Sequence, residues 1–139
     1  MQWKNAGELN LMNGNLLDTN VVVRILNGDK PLIKTLSEMQ DLCTCTIVLG
    51  ELLFGAAKSI HREENKKKAR DFCFHYPFIH LTESVSYAYG DLKKKLQSHG
   101  LILPENDMWI AATALANNLT VITQDKHFES IPNLTVIKL

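Results

Sequence analysis

Short runs of apolar residues alternate along the chain with longer stretches in which apolar residues recur every three or four positions. The short runs predict five strands, over residues 15–18, 42–45, 78–81, 119–123 and 134–137. The longer stretches predict helices over residues 19–26, 31–40, 46–60, 61–73 and 107–118, with another from Thr82 or Ser84 to a stop at Gly100. Strands separated by helices are typical of a mostly parallel sheet covered on both faces, so we expect an α/β protein.

Polar residues at the start of two apolar stretches indicate helix N-termini. Thr46 and Asn106 are residue types that accept hydrogen bonds from a first helical turn, and we predict them to be N-caps. Glu105 then lies just outside the last helix, where we expect it to be solvated.

The size and composition of the chain fit one domain. Its 139 residues are 45% hydrophobic, which is enough for a single core. We assign residues 15–139 to that domain and residues 1–14 to an N-terminal extension or arm, because the polar start has no clear period. Fifteen basic and fifteen acidic residues balance, so the net charge indicates neither a nucleic-acid nor a membrane partner.

Cysteine usage and hydropathy favour the cytoplasm. Cys43, Cys45 and Cys73 are an odd number without CxxC spacing, which fits a reducing compartment better than a disulfide framework. We expect Cys43 and Cys45 to fill the core. No apolar run approaches the roughly 18 residues that span a bilayer, and the start lacks the pattern of a signal peptide, so we expect neither.

One carboxylate interrupts an apolar segment near the start of the predicted domain. Asp18, in NLLDTNVVVRIL, follows two leucines and shortly precedes three valines. A buried carboxylate loses several kcal/mol of hydration unless it is neutralised, hydrogen-bonded or bound to a cation. The simplest partner is the backbone of the next helix, with Asp18 as its N-cap. A metal ion is the alternative.

A second acid lies within an apolar helix. Glu51, in TIVLGELLFGAA, is the only charge before Lys58, and the helix is so apolar on every side that we expect it to be buried or nearly so. Gly50 and Gly55 on the same face predict the close approach of another backbone. Glu51 therefore needs a partner, which is either an Arg or Lys elsewhere or the ligand of a functional site.

Two more acids lie at element boundaries. Asp107, in LPENDMWIAATALANN, falls in a first helical turn, where it complements the helix dipole. Ala111 and Ala114 lie on the same side, so this face can press against the sheet and carry the carboxylate toward the strands. Asp125, in LTVITQDKHF, comes just past a predicted strand, where a turn residue is the simplest interpretation.

The predicted topology brings these four acids together. Asp18 and Asp125 follow strands, and ligand sites of open parallel sheets lie beyond the carboxyl ends of the strands. Glu51 and Asp107 lie on helices that could lean over that edge. Four carboxylates in one pocket raise one another's pKa unless cations neutralise them. Oxygen ligands select hard cations, so we expect Mg²⁺ as the cofactor, with Mn²⁺ as a substitute.

Four sequence blocks, taken together, resemble the PIN-domain nucleases, and within them the VapC-like toxin ribonucleases of bacterial toxin–antitoxin pairs. The blocks are LLDTN at residues 16–20, EL at residues 51–52, NDMWIAA at residues 106–112, and TQD at residues 123–125 followed by Phe128. They stand in the family's order. The chain departs from the pattern in its N-terminal extension and in Glu105, and neither departure removes a family position.

The resemblance implies a three-layer α/β/α sandwich around a mostly parallel sheet of four to five strands, and metal-dependent hydrolysis of RNA phosphodiester bonds. By analogy, Asp18 and Asp107 are the principal metal ligands. Glu51 and Asp125 complete the catalytic and metal-binding set. The implied partners are an RNA substrate, a cognate antitoxin whose segment covers the acidic site, and a second copy of the chain in a homodimer.

Three neutral polar residues lie beside these acids. Thr19, Asn20 and Thr123 either orient water and carboxylates or serve as ordinary capping and turn residues, and the sequence favours neither role over the other.

Two groups of basic residues are candidates for RNA binding, because phosphate contacts are charge contacts. Lys126 lies next to Asp125, and Lys66, Lys67 and Lys68 form a basic run. Charged helical runs are more often solvated faces, and neighbouring acids dilute this one, so Lys126 is the better candidate.

Three other classes of protein fit less well. A haloacid-dehalogenase-like phosphatase needs a second Asp two residues after the first, where this chain has Asn20. A receiver-like signalling domain needs a Lys after a later strand, and Lys126 is too close to Asp125 for that geometry. A non-catalytic PIN-like module that binds RNA or protein would ordinarily lack a metal carboxylate, and none is missing.

Overall fold

The computed structural model describes residues 14–139, so the predicted extension lies outside the described residues apart from Gly14. The strands are β1 (Asn15–Leu17), β2 (Leu42–Cys45), β3 (Phe78–Ile79), β4 (Thr120–Thr123) and β5 (Val136–Lys138). The helices are α1 (Thr19–Leu26), α2 (Lys30–Ser37), α3 (Thr46–Ala57), α4 (Arg62–His75), α5 (Glu83–Ser98) and α6 (Glu105–Ala116), and a 3₁₀ turn covers Lys126–Ser130.

The five strands form one parallel sheet in the order β3-β2-β1-β4-β5. In the central strand, Leu16 pairs with Cys43 of β2 and with Val121 of β4. Leu16 and Leu17 are both fully buried, although successive strand residues point to opposite faces of a sheet. Both faces are therefore covered by helices, which confirms the predicted three-layer α/β/α sandwich.

The predicted ends of α1 and β2 agree with the structure, whereas α2 ends at Ser37, three residues early. The N–H groups of Glu38 and Met39 bind the carbonyls three residues before them, which tightens the last turn. Asp41 then takes a positive φ of 54°, and the chain turns into β2.

The predicted N-cap at Thr46 is wrong. Cys45 precedes α3 as its N-cap and makes no side-chain capping bond. The Thr46 hydroxyl instead donates to the carbonyl of Ile79 at 3.4 Å and accepts the N–H of Leu81 at 3.2 Å. It therefore ties the start of α3 to the end of the edge strand β3, a partner more than thirty residues away.

The first turn of α6 also differs from the prediction. The helix begins at Glu105, and Pro104 occupies the N-cap position without a side-chain bond. Asn106 is therefore not a cap, and Glu105 belongs to the helix.

The expectation that α3 is buried on every side is wrong. Val48 and Leu52 pack into the core, but the side chain of Phe54 is 65% exposed. A Cβ atom at Gly50 or Gly55 would meet no heavy atom within 4 Å, so neither glycine marks a close backbone approach. Because the outer face of α3 is as apolar as its inner face, composition could not identify the buried side.

Cys43 and Cys45 lie in the core, as expected, and Cys73 lies there too. Cys43, Cys45 and Cys73 are free and buried, and burial raises the pKa of the Cys45 and Cys73 thiols to about 11. Across residues 14–139, no helix combines the length and the apolar character that crossing a lipid bilayer requires.

Candidate active site

Asp18 lies where β1 ends and α1 begins, and it is only 3% exposed. Its N–H donates to the carbonyl of Ile122 at 2.9 Å, which fixes it against β4. Its carboxylate accepts the N–H of Thr19 at 2.8 Å and the hydroxyl of Thr123 at 2.6 Å. The capping interpretation is therefore confirmed, but the cap leaves a carboxylate buried at the end of the central strand.

Burial raises the pKa of Asp18 above its usual range, and the two hydrogen bonds only partly offset this effect. The negative charges of Glu51 and Asp125 raise it further. The environment of Asp18 is thus costly for an uncompensated anion.

Glu51 reaches the same place from α3 and is half-buried. Its Oε1 accepts the hydroxyl of Thr19 at 2.6 Å, and its Oε2 accepts the side-chain amide of Asn106 at 3.3 Å. Among the described residues, no Lys or Arg forms a salt bridge with it. Neutral hydrogen-bond donors, rather than the ion pair considered from the sequence, hold this carboxylate.

Asp107 lies in the first turn of α6, with Ala111 and Ala114 fully buried on its side of the helix, as predicted. Burial is the main cause that raises the pKa of Asp107 to about 6. Repulsion from Asp18, Asp125 and Glu51 adds to the rise, and nearby His127 opposes it. Asp107 is therefore electrostatically coupled to all three of the other acids.

Asp125 follows β4 and also makes the turn predicted from its position. Its N–H donates to the hydroxyl of Thr123 at 2.9 Å, and its Oδ1 accepts the N–H of His127 at 2.9 Å. The ring Nδ1 of His127 lies 2.7 Å from the same Oδ1. The turn thus holds this carboxylate against His127, just beyond the end of β4.

Two hydroxyl groups connect the acids. Thr123 donates to Asp18 and accepts from the backbone of Asp125, so one buried side chain joins the ends of β1 and β4. Thr19 donates its N–H to the capping carboxylate of Asp18 and its hydroxyl to Glu51. Both threonines thus lie between predicted site residues.

Asn20 is placed differently. Its side-chain oxygen accepts the N–H of Gln124 at 3.3 Å, so it supports the loop before Asp125. This contact is to the backbone and not to a carboxylate.

The donor atoms at this edge of the sheet fit a hard cation, because all four predicted ligands offer carboxylate oxygens. Within the part of the chain that the structure describes, no three Asp, Glu, His or Cys side chains already stand close enough to hold one ion. The hydrogen bonds of Glu51 and Asp125 hold these groups toward their own neighbours. Binding by three carboxylates would need side-chain rotations, while the mutual repulsion favours a cation between them.

Two residues at this site were missed from the sequence. Asn106 was interpreted as a cap, yet its amide contacts Glu51, and its only signal was its place before Asp107. His127 was not among the predicted site residues, yet its ring contacts Asp125, and its proximity lowers the pKa of Asp107. Its proximity in sequence to Asp125 was the signal for it.

The basic residues fall into two different settings. Lys66, Lys67 and Lys68 lie on α4 and form ion pairs within that helix, with Glu63, Asp71 and Glu64 respectively. Lys126 begins the 3₁₀ turn directly after Asp125, is exposed, and has no salt bridge to any described residue.

Comparisons with known proteins agree with this fold. The family model of the PIN domain matches residues 16–134. The chain is 34% identical over 124 residues to ribonuclease VapC2 of Rickettsia felis. The aligned region covers 86% of this chain and 92% of that protein. It is 33% identical over 95 residues to ribonuclease VapC4 of Mycobacterium tuberculosis, and this aligned region covers 67% of this chain and 73% of that protein.

A solved structure with the same fold is the VapBC2 complex of Rickettsia felis bound to a DNA fragment from its promoter. The match has a TM-score of 0.83 and 31% identity, and it covers 90% of this chain and 98% of that one. The chain belongs to the PIN domain family. Within that family it is a homologue of the VapC ribonucleases, and PIN-domain ribonucleases generally depend on a divalent metal ion.

Proposed function

We propose that this protein is a divalent-metal-dependent endoribonuclease, which hydrolyses RNA phosphodiester bonds and serves as the toxin of a toxin–antitoxin pair. The observation that carries the proposal is the meeting of four acids from different parts of the chain. Thr19 binds both Asp18 and Glu51, Thr123 joins Asp18 to the backbone of Asp125, and Asn106, next to Asp107, binds Glu51. Membership of the PIN domain family and the VapC relatives support the same reaction.

The proposal assigns the metal to the four carboxylates. Asp18 and Asp107 are the principal ligands, since they carry raised pKa values that a cation would relieve. Glu51 and Asp125 complete the set. Mg²⁺ is the proposed cofactor and Mn²⁺ its substitute, because the donors are oxygens only.

When bound, such a cation acidifies a water molecule and offsets the charge that develops on the phosphate. The chain's own residues set up the site. Thr123 and Thr19 hold the carboxylates of Asp18 and Glu51 in place, and Asn20 supports the backbone at Gln124. These hydrogen bonds orient the acids before a substrate arrives.

In this proposal, basic side chains around the four acids hold the RNA by contacts with its phosphates, and we call this set of residues the rim. Lys126 is the best candidate because it directly follows Asp125 in the chain and forms no salt bridge with any described residue. Lys66, Lys67 and Lys68 are weaker candidates, since intrahelical ion pairs already engage them.

The proposed partners are a cognate antitoxin, whose segment covers the acidic site, and a second copy of this chain in a homodimer. The VapBC2 complex of Rickettsia felis supports the first. The exposed ring of Phe54 supplies apolar surface for a protein contact. We place the activity in the cytoplasm, where a reducing environment suits three free thiols.

The test is RNA cleavage by the purified full chain with Mg²⁺, with a chelator in place of Mg²⁺, and with Asp107→Asn. With Mg²⁺ we expect cleavage by the wild type and by the control Asp91→Asn, which changes an exposed acid on α5. We expect no cleavage in chelator and none by Asp107→Asn. Cleavage that survives both the chelator and Asp107→Asn would reject the mechanism. RNA binding without cleavage under all conditions would favour a non-catalytic module.

A further inference from the structure

The first turn of α6 carries Asp107 but lacks a side-chain cap. Pro104 at the N-cap position makes no capping bond, and the amide of Asn106 binds Glu51 instead. Helix ends without capping partners fray within the first turn. Because Asp107 projects from this uncapped turn, the contacts that the rest of the turn makes with its neighbours determine how firmly the carboxylate is held.

Three side chains supply such contacts between α5 and α6, and we name them the α5–α6 clamp: Tyr89, Lys93 and Glu105. The Tyr89 hydroxyl donates to Oε1 of Glu105. The ammonium of Lys93 lies 3.0 Å from Oε2 of Glu105 and 3.2 Å from the Tyr89 oxygen. Each member of the clamp therefore contacts the other two.

The ring of Tyr89 makes a second contact with the same turn. It stacks on Trp109, with ring centroids 3.8 Å apart and planes at 8° to each other. Trp109 lies one turn after Glu105, so Tyr89 holds both ends of the first turn of α6. Asn106 and Asp107 lie between these two points of attachment.

The clamp's contribution to stability should be small, because the side chains of Lys93 and Glu105 are 39% and 55% exposed. Exposed ion pairs contribute little to the free energy of unfolding. A three-membered contact at this position instead restricts the direction in which the helix end can move. Its effect should therefore appear at Asp107 rather than in the stability of the fold.

We infer that the α5–α6 clamp positions Asp107 relative to Asp18, Glu51 and Asp125 and thereby sets the site's affinity for a divalent cation. This inference rests on the proposed function. Tyr89, Lys93 and Glu105 are positioning residues, since none of them is among the predicted ligands. Loss of the clamp lets the first turn of α6 relax away from Asp18, Glu51 and Asp125.

The test measures Mn²⁺ binding to the purified full chain by titration calorimetry, which does not depend on RNA cleavage. Glu105→Ala removes the acceptor, whereas Tyr89→Phe removes only the hydroxyl and keeps the stacked ring. Matched controls on α5 are Glu83→Ala and Tyr87→Phe, at two exposed positions outside the clamp. Thermal unfolding in chelator shows whether each variant folds.

We expect both clamp variants to bind Mn²⁺ about tenfold more weakly, the lower end of the loss seen when residues that orient metal ligands are replaced, while the controls match the wild type. The double variant should lose little more than Glu105→Ala alone, because Glu105→Ala already breaks the hydrogen bond between Tyr89 and Glu105. Raising the Mn²⁺ concentration should restore RNA cleavage by the clamp variants to the wild-type rate.

Two other outcomes separate the inference from the proposed function. If the wild type binds Mn²⁺ and folded Glu105→Ala and Tyr89→Phe bind it equally well, the clamp inference is overturned and the proposed function stands. If the wild type binds no Mn²⁺, the proposed function fails and the inference fails with it.

Discussion

The hydroxyl of Thr123 donates a 2.6 Å hydrogen bond to Oδ2 of Asp18, a residue 105 positions earlier in the chain. Both residues are buried, so this bond replaces water at the carboxylate. It also joins the carboxyl ends of β1 and β4, from which Asp18 and Asp125 project.

Thr123→Val should therefore destabilise the protein by about 1–3 kcal/mol, because it leaves a buried carboxylate with one hydrogen bond fewer. Urea unfolding in chelator measures this change. Thr123→Ser keeps the hydroxyl and should lower the free energy of unfolding by less than Thr123→Val does. Thr113→Val is the matched control: its hydroxyl is buried too, but it bonds only to the carbonyl of Trp109 in its own helix. Equal losses for Thr123→Val and Thr113→Val would contradict the assigned role of the Asp18 bond.

Asp107→Asn should stabilise the metal-free protein at neutral pH, since it removes a charge that burial and three neighbouring acids disfavour. The pKa of Asp107 is raised from 3.8 to about 6. Its contribution to stability is therefore fully present below pH 3.8 and is lost as the pH rises through about 6. Thermal unfolding in chelator should show the largest gain for Asp107→Asn near pH 7.5 and a smaller one near pH 4.5.

The control for this pH dependence is Asp91→Asn on the exposed face of α5. We expect it to shift the unfolding temperature little and by the same amount at both pH values. A gain for Asp107→Asn that does not change with pH would mean that the electrostatic coupling is not its cause.

Mg²⁺ should stabilise the wild type against unfolding, because a cation that binds only the folded protein shifts the equilibrium. At a free concentration one hundred times the dissociation constant, the expected stabilisation is about 2.7 kcal/mol. Asp18→Asn and Glu51→Gln should lose most of this effect, and Asp91→Asn should keep it. Wild-type protein with the same unfolding temperature in saturating Mg²⁺ and in chelator would count against a metal site at these acids.

Lys126→Ala should weaken RNA binding and reduce its dependence on salt. Binding is best measured in the Asp107→Asn background, where RNA should stay intact. Loss of one phosphate contact to single-stranded RNA lowers the slope of log affinity against log salt by about 0.7. Lys67→Ala should change this slope less, because Lys67 already pairs with Asp71 at 2.7 Å. The proposed rim is wrong if the two variants are indistinguishable from the wild type.

Local sequence was sufficient for the parallel sheet and for the four acids. The apolar run before Asp18 and the helix-forming run after it fix a strand, a cap and a helix within twelve residues, and the structure agrees with each. The same reasoning placed Asp125 just after β4. These features depend on neighbours in the chain, whose propensities and hydrogen bonds are readable from sequence.

The failures have one physical cause. Thr46 and Asn106 are residue types that cap helices, and each bonds instead to a group on another element. Phe54 is exposed because helix α3 turns another apolar face to the sheet. The chemistry of a hydroxyl, an amide or an apolar side chain determines which kinds of group it can contact. Only the packing of helices and strands decides which of those groups lies close enough.

The sequence by itself thus determined the order of strands and helices, the residue types at the carboxyl edge of the sheet and the family to which they belong. The tertiary structure alone decided that Asn106 meets Glu51 and that Tyr89, Lys93 and Glu105 hold the turn carrying Asp107. The backbone hydrogen bonds and the apolar periodicity of a helix or strand involve residues a few positions apart, so they can be recognised in the sequence. A contact between side chains 55 residues apart leaves none, because it depends on how two helices pack.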